Sequence, residues 1–249
     1  MANEVEIQSK GAAFLSAEWR DLVILNYAVD PALLRNYVPH GTELDSFQGK
    51  TFVSLVGFRF LRTKVFGFVP VPFHTDFDEV NLRFYVRRRE GDSIKRGVVF
   101  IREIVPKRAV AFVARVVYGE NYTCHPMRHS VNTDESGAFA EYSWKLSCLW
   151  CRIRARATGA PSLPGEGSLE QFITEHYWGY AARKPGSSIE YQVTHVPWRV
   201  WKSADASFEG DGVALYGYGM GMSLRRPPDS AFIAEGSAVQ VLTGRRLLT

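Results

Sequence analysis

Residues 77–89 read FDEVNLRFYVRRR, and their pattern decides the fold. Val80, Leu82, Phe84 and Val86 recur at every second position, with Glu79, Asn81, Arg83, Tyr85 and Arg87 between them. Successive residues of a strand point to opposite faces, so this alternation predicts a β-strand with one apolar and one polar face. Two readings of the polar face stand side by side. On a half-exposed sheet it meets water, which is the commoner arrangement. In a closed barrel it lines an interior, where a carboxylate, an amide, a guanidinium and a phenol converge as a pocket for a small polar ligand requires. A register in which Val80, Leu82 and Phe84 faced the cavity would remove the second reading. A tyrosine-rich turn at residues 118–127, YGENYTCHPM, closes this part of the chain.

The surrounding chain is dominated by strand patterns. Residues 19–29, WRDLVILNYAV, contain a continuous apolar run and predict a buried strand. Asp30-Pro31 then supplies an N-cap and a proline for a short helix carrying Leu33, Leu34, Tyr37 and Val38 on one stripe. A strand, a turn at Gln48-Gly49 and a longer strand over 51–61 follow. Residues 97–105 form another apolar strand, and Pro106 with three alanines predicts a helix over 107–117. Residues 128–157 are read as two or three antiparallel strands with a turn at 134–137. Ser168 and Gln171 form a capping box for the clearest helix, LEQFITEHYWGY. Strands at 191–196 and 198–203 flank Pro197, and a last strand lies near 238–242. In LYGYGMGMS, Tyr216, Tyr218, Met220 and Met222 alternate with three glycines. This predicts a strand with one bare face, left for close packing or for a ligand.

Composition narrows the classes of function. The chain has 249 residues, 46% hydrophobic, enough for one large β domain, and no repeat or compositional break divides it, so residues 1–249 are expected to form a single domain. The N-terminal residues lack an apolar signal core, and the run AVAFVARVVY is interrupted by Arg115, so neither export nor a membrane partner is expected and the cytoplasm is the predicted location. A net charge of +4 spread over scattered basic groups does not point to nucleic acid. Arg152, Arg154 and Arg156 share one parity, which suits either a phosphate stripe or an ordinary solvated face. Three cysteines suit a reducing compartment, and Cys148 and Cys151 fall on opposite faces of a strand. His125 and His129 have helical metal spacing, but Pro126 opposes a helix there. No metal and no cofactor is expected.

Several further elements recur in order: Trp19/Leu22, Asp30-Pro31/Leu34, Pro39/Gly41/Leu44-Asp45/Phe47/Gly49, Glu79/Asn81/Arg83/Tyr85-Val86, Ala114-Arg115, Tyr118/Tyr122, the Ser168 helix with a following HY, and His195/Pro197-Trp198. Together they resemble the YqjF-like bacterial proteins of unknown function over nearly the full length. That family looks related in fold to acetoacetate decarboxylase. The resemblance therefore implies a mainly β (α+β) chain, built as one antiparallel β barrel or cone with a few peripheral helices.

It also implies that Glu79 matches the pocket glutamate of the decarboxylases. Those enzymes attack a keto group with a lysine whose pKa is lowered by a neighbouring lysine. The matching positions here are Tyr122 and Thr123, neither of which forms an imine. Lys107, next to Arg108, is the one substitute. The expected function is a pocket for a small organic acid or carbonyl compound. If the protein is an enzyme, a lyase- or isomerase-type proton transfer without an imine follows. Glu79 would hold a proton, Arg83 or Arg115 would neutralise a carboxylate, and Tyr118, Tyr122 and His125 would donate hydrogen bonds, with Asn81 and Tyr85 on the same face. Two other readings stay open: a structural ion pair between Glu79 and Arg83, and a non-catalytic scaffold using basic strand faces. His195 and Trp198 are read as core. The sequence leaves the oligomeric state open, a homo-oligomer included.

Overall fold

The computed structural model describes residues 13–66, 69–70, 75–107, 121–134, 136–183, 186–203 and 205–248. Its strands are, in chain order, β1 (Ala13–Val29), β2 (Glu43–Leu44), β3 (Thr51–Val65), β4 (Val69–Pro70), β5 (Phe77–Glu90), β6 (Ser93–Val105), β7 (Tyr122–Cys124) and β8 (Met127–Asp134). They continue with β9 (Gly137–Leu146), β10 (Leu149–Thr158), β11 (Trp178–Ala182), β12 (Ser187–Thr194), β13 (Val200–Lys202), β14 (Asp205–Glu209), β15 (Ser230–Leu242) and β16 (Arg245–Leu248). The chain is mainly β with few helices, and none among the described residues is long and apolar enough to cross a membrane.

Among the described residues, seven strands form a ring in the order β15-β1-β3-β5-β6-β11-β12, and β12 returns to β15 through Val193↔Val241 and Thr194↔Gln240. The ring is antiparallel except where β11 joins β6 in parallel, at Trp178↔Gly97 and Gly179↔Val98. Bulges help it curve, because an extra residue increases local twist and bends a strand. One falls in β1 between Arg20 and Val23, where Asp21 has φ 58°. Another inserts Ile101 into β6 opposite Leu82 and Arg83.

The apolar parity of β5 faces outward from the ring. Val80, Leu82 and Phe84 are buried together with Ala138, Ala140, Tyr142 and Trp144 of β9, in a core shared with the second sheet, β14-β10-β9-β8. Val80, Leu82 and Phe84 each contribute about 1.5–3 kcal/mol relative to exposure. Gly57 permits the approach of the two sheets, since a Cβ there would lie 2.8 Å from Cδ2 of Tyr142. A second apolar cluster, including Leu22, Ile24, Val56, Phe58, Phe60, Phe77 and Trp198, fills the ring itself.

Three local expectations are corrected. Residues 215–223 are not a strand but parts of two short helices, Gly212–Tyr216 and Tyr218–Ser223. Asp211 caps the first by accepting from the Ala214 amide, and Gly217 at φ 80° separates them. A Cβ on Gly221 would lie 2.4 Å from the Val213 nitrogen, so close packing accounts for that glycine. The Ser168-capped helix stops at Thr174, and Trp178 already pairs as strand with Gln192. The Asp30-Pro31 helix is two 3-10 turns, Pro31–Leu33 and Arg35–Tyr37, with Asp30 accepting from the Ala32 amide. The helix expected over 107–117 lies, apart from Lys107, outside the described residues.

Candidate functional site

Inside the ring lies a cavity of about 200 Å³, and the polar parity of β5 turns into it. Glu79, Asn81 and Arg83 line its wall with Glu103 of β6 and Tyr122 of β7. The Ile101 bulge brings Glu103 here. It pairs with Asn81, Phe100 pairs with Arg83 and Val98 with Tyr85, so residues of unlike sequence parity reach one face.

Glu79 is 2% exposed. Nδ2 of Asn81 donates to its Oε1 at 3.0 Å, and the Tyr122 hydroxyl donates to Oε2 at 3.1 Å. Burial pushes this carboxyl up to about 7, against the opposing pull of those two hydrogen bonds and of the Arg83 charge. Arg83 is 8% exposed. Its Nη2 donates a long 3.4 Å hydrogen bond to the Ile173 carbonyl, while its Nε and the Oδ1 of Asn81 have no hydrogen-bond partner. Arg83 forms no ion pair with Glu79, whose carboxylate is held by Asn81 and Tyr122 instead. A buried guanidinium with an unused N–H beside an unused amide oxygen is a donor and acceptor set open to a ligand.

Two sequence-predicted residues lie elsewhere. Tyr85 shares the parity of Glu79 and Arg83 but is not among the residues that line the cavity. Its hydroxyl is 2.5 Å from Oγ of Ser54, which donates to Oδ1 of Asn26, and its ring packs on Phe172 and His176. His125 is outside the cavity, with Nδ1 3.0 Å from the Lys145 carbonyl. Arg115 and Tyr118 fall outside the described residues. Thr123 donates to the Glu103 carbonyl, so it supports β7 rather than the wall.

The cavity also recruits two histidines that sequence reading did not place there. His195 lies on Trp198, ring centroids 4.2 Å apart, and its Nδ1 is 2.8 Å from the Val196 carbonyl. A carbonyl only accepts, so Nδ1 carries the proton and Nε2 keeps a lone pair. Burial, aided by Arg83, holds this imidazole down at about 4, against the Val196 hydrogen bond. His176 Nε2 and Arg96 Nε lie 3.5 Å and 3.3 Å from the same carboxylate oxygen, Oδ2 of Asp45. Burial lowers His176, with Asp45 opposing and Arg83 and Arg96 reinforcing. Both line the cavity, so the H-x-PW element serves its wall as well as the core.

No lysine lines the cavity among the described residues, and residues 108–120 contain none. No group of three His, Cys, Asp or Glu side chains among the described residues is placed to hold a metal ion.

The closed β ring is the acetoacetate decarboxylase-like fold. The acetoacetate decarboxylase of Legionella pneumophila superimposes with a TM-score of 0.65 at 14% identity, covering 98% of this chain and 94% of that one. The enduracididine biosynthesis enzyme MppR complexed with pyruvate superimposes with a TM-score of 0.62 at 15% identity, covering 98% and 93%. By sequence the chain belongs to the DUF2071 family of uncharacterized conserved proteins, whose model matches residues 16–238. It is 24% identical over 189 residues to the uncharacterized protein YqjF of Bacillus subtilis (strain 168), covering 76% of this chain and 75% of that protein.

Proposed function

We propose that the cavity receives a small organic acid or carbonyl compound without forming an imine, and that any chemistry there is proton transfer of the lyase or isomerase type. The observation that carries this reading is the buried Arg83 guanidinium with its unused Nε–H. A buried guanidinium whose Nε–H is unpartnered and whose Nη2 makes only a long bond to a carbonyl is incompletely satisfied, and a ligand carboxylate would complete it through charge-assisted hydrogen bonds. Glu79, with its carboxyl near 7, suits proton exchange at neutral pH, since an acid or base works best when its pKa is close to the working pH. His195, held at about 4, stays neutral at that pH, and its Nε2 lone pair offers a hydrogen-bond acceptor to the ligand. In this reading Tyr122 and the Asn81 Nδ2 fix the carboxyl that moves the proton, and the unused Asn81 Oδ1 accepts from a hydroxyl or enol of the ligand. The fold relative captured with pyruvate supports a keto acid as the first ligand to try. The absence of lysine from the wall among the described residues supports chemistry without a Schiff base.

The scaffold reading is less well supported. The basic strip on β10 is engaged locally: Arg152 pairs with Glu209 at 2.6 Å, Arg154 donates to Ser207, and Arg156 lies over Phe139.

Calorimetric titration with pyruvate, in buffers of different ionisation enthalpy, tests the proposal. Saturable binding is expected in the wild type. It should weaken above pH 7, where Glu79 ionises next to the bound anion, and proceed there with proton uptake. Binding that Arg83→Met leaves unchanged would refute the role given to the guanidinium.

A further inference from the structure

The polar groups occupy only part of this cavity. Trp19, Phe58, Phe60, Phe77 and Trp198 all line it, and they pack on one another as a continuous aromatic wall. Trp19 meets Phe58 edge-on at 5.4 Å, Phe60 at 5.7 Å and Trp198 at 6.3 Å, and Phe60 stacks on Phe77 at 4.6 Å. This wall begins directly beside the polar end. Phe58 is the cross-strand partner of Glu79, and Trp198 carries His195, which feels the Arg83 charge. A carboxylate with nothing attached would leave that apolar surface facing water.

We propose that the natural ligand is an aryl-substituted small acid, with one aromatic ring joined by a short arm to the carboxylate. The inference rests on the reading of Arg83 as the carboxylate receptor and adds what fills the rest of the space. Size sets the number of rings: an apolar cavity of about 150 Å³ takes up benzene, so the volume here holds one ring and leaves about a quarter for the arm and acid. The wall sets the kind of apolar group. Edge-to-face and offset contacts between rings add to simple burial, and a saturated group of equal size gains the burial without that addition. The adjacency of Phe58 and Glu79 keeps the arm short.

The test is calorimetric titration of the full chain with 3-phenylpropanoate, 3-cyclohexylpropanoate and propanoate. The phenyl acid is expected to bind about three- to tenfold more tightly than the cyclohexyl acid. It should exceed propanoate by at least about tenfold, from burial of the ring. Phe58→Leu keeps an apolar side chain but removes one ring face. It should narrow the gap between the phenyl and cyclohexyl acids measured in the wild type. Equal affinity of those two acids in the wild type overturns the aromatic assignment. Propanoate binding as tightly as either overturns the inference while leaving Arg83 as an acid receptor. Binding of none of the three overturns both.

Discussion

Replacing Glu79 by glutamine should change how stability depends on pH more than it changes stability itself. The folded carboxyl sits at about 7 against an ordinary 4.5. Between those values the folded protein keeps a proton that the unfolded chain releases, so the wild type loses stability as pH rises through this window. At about 1.36 kcal/mol per pH unit the loss amounts to about 3 kcal/mol, complete above pH 7. Glutamine cannot ionise and shows no such loss. It gives up one acceptor for Asn81 or Tyr122, a cost of about 1 kcal/mol that is constant with pH. His195 works in the opposite sense: its imidazole is held at about 4, so the unfolded chain binds the extra proton and stability falls as pH drops below 6.5. His176 is lowered as well and acts in the same sense. Both histidines remain in the variant, so their contributions cancel in the difference. Urea unfolding of both proteins at pH 4.5, 6, 7 and 8 measures it. The advantage of Glu79→Gln should grow by about 3 kcal/mol across the series. Parallel curves would refute the claim that burial raises this carboxyl.

Arg83→Met should abolish acid binding yet raise unfolding free energy by about 1 kcal/mol or more, because it replaces a buried, incompletely hydrogen-bonded charge with a shorter apolar chain; a lowered melting temperature would contradict this. Incubation with acetoacetate and borohydride should leave the mass of the protein unchanged, whereas an adduct on Lys107 would restore imine chemistry. Trp198→Ala should cost about 3–5 kcal/mol in urea unfolding, since the ring is 3% exposed and its Nε1 donates to Ser237; undiminished stability would show that the ring serves the ligand alone. We also propose that the chain folds as one unit, because both sheets share a core. Fluorescence and circular dichroism should then report a single coincident transition, and two separated transitions would oppose it.

The parity of β5 was legible because a strand buried on both sides still obeys the two-residue period. One face met the second sheet and took Val, Leu and Phe, and the other met the cavity and took Glu, Asn and Arg. The turn at Gln48-Gly49 was legible for a similar local reason, since both residues adopt positive φ, at 49° and 78°. Glu103 was hidden by the Ile101 bulge, which breaks the period that parity reasoning depends on. His195 and His176 were hidden because ring closure between β12 and β15 and the short helix at Leu169–Thr174 bring distant segments to one wall, and no local pattern encodes that. The glycine-rich segment misled because alternation at period two also occurs where two short helices pack through glycine. A Gly217 between Asp211 and Leu224 was the available sign of a break.

A crystal structure with 3-phenylpropanoate or pyruvate bound tests the central claim most directly. The account predicts a carboxylate about 2.7–3.2 Å from Nε or a terminal nitrogen of Arg83, with the Asn81 amide beside it. A ligand bound only at the surface, or a cavity left without ligand at saturating concentration, would contradict it.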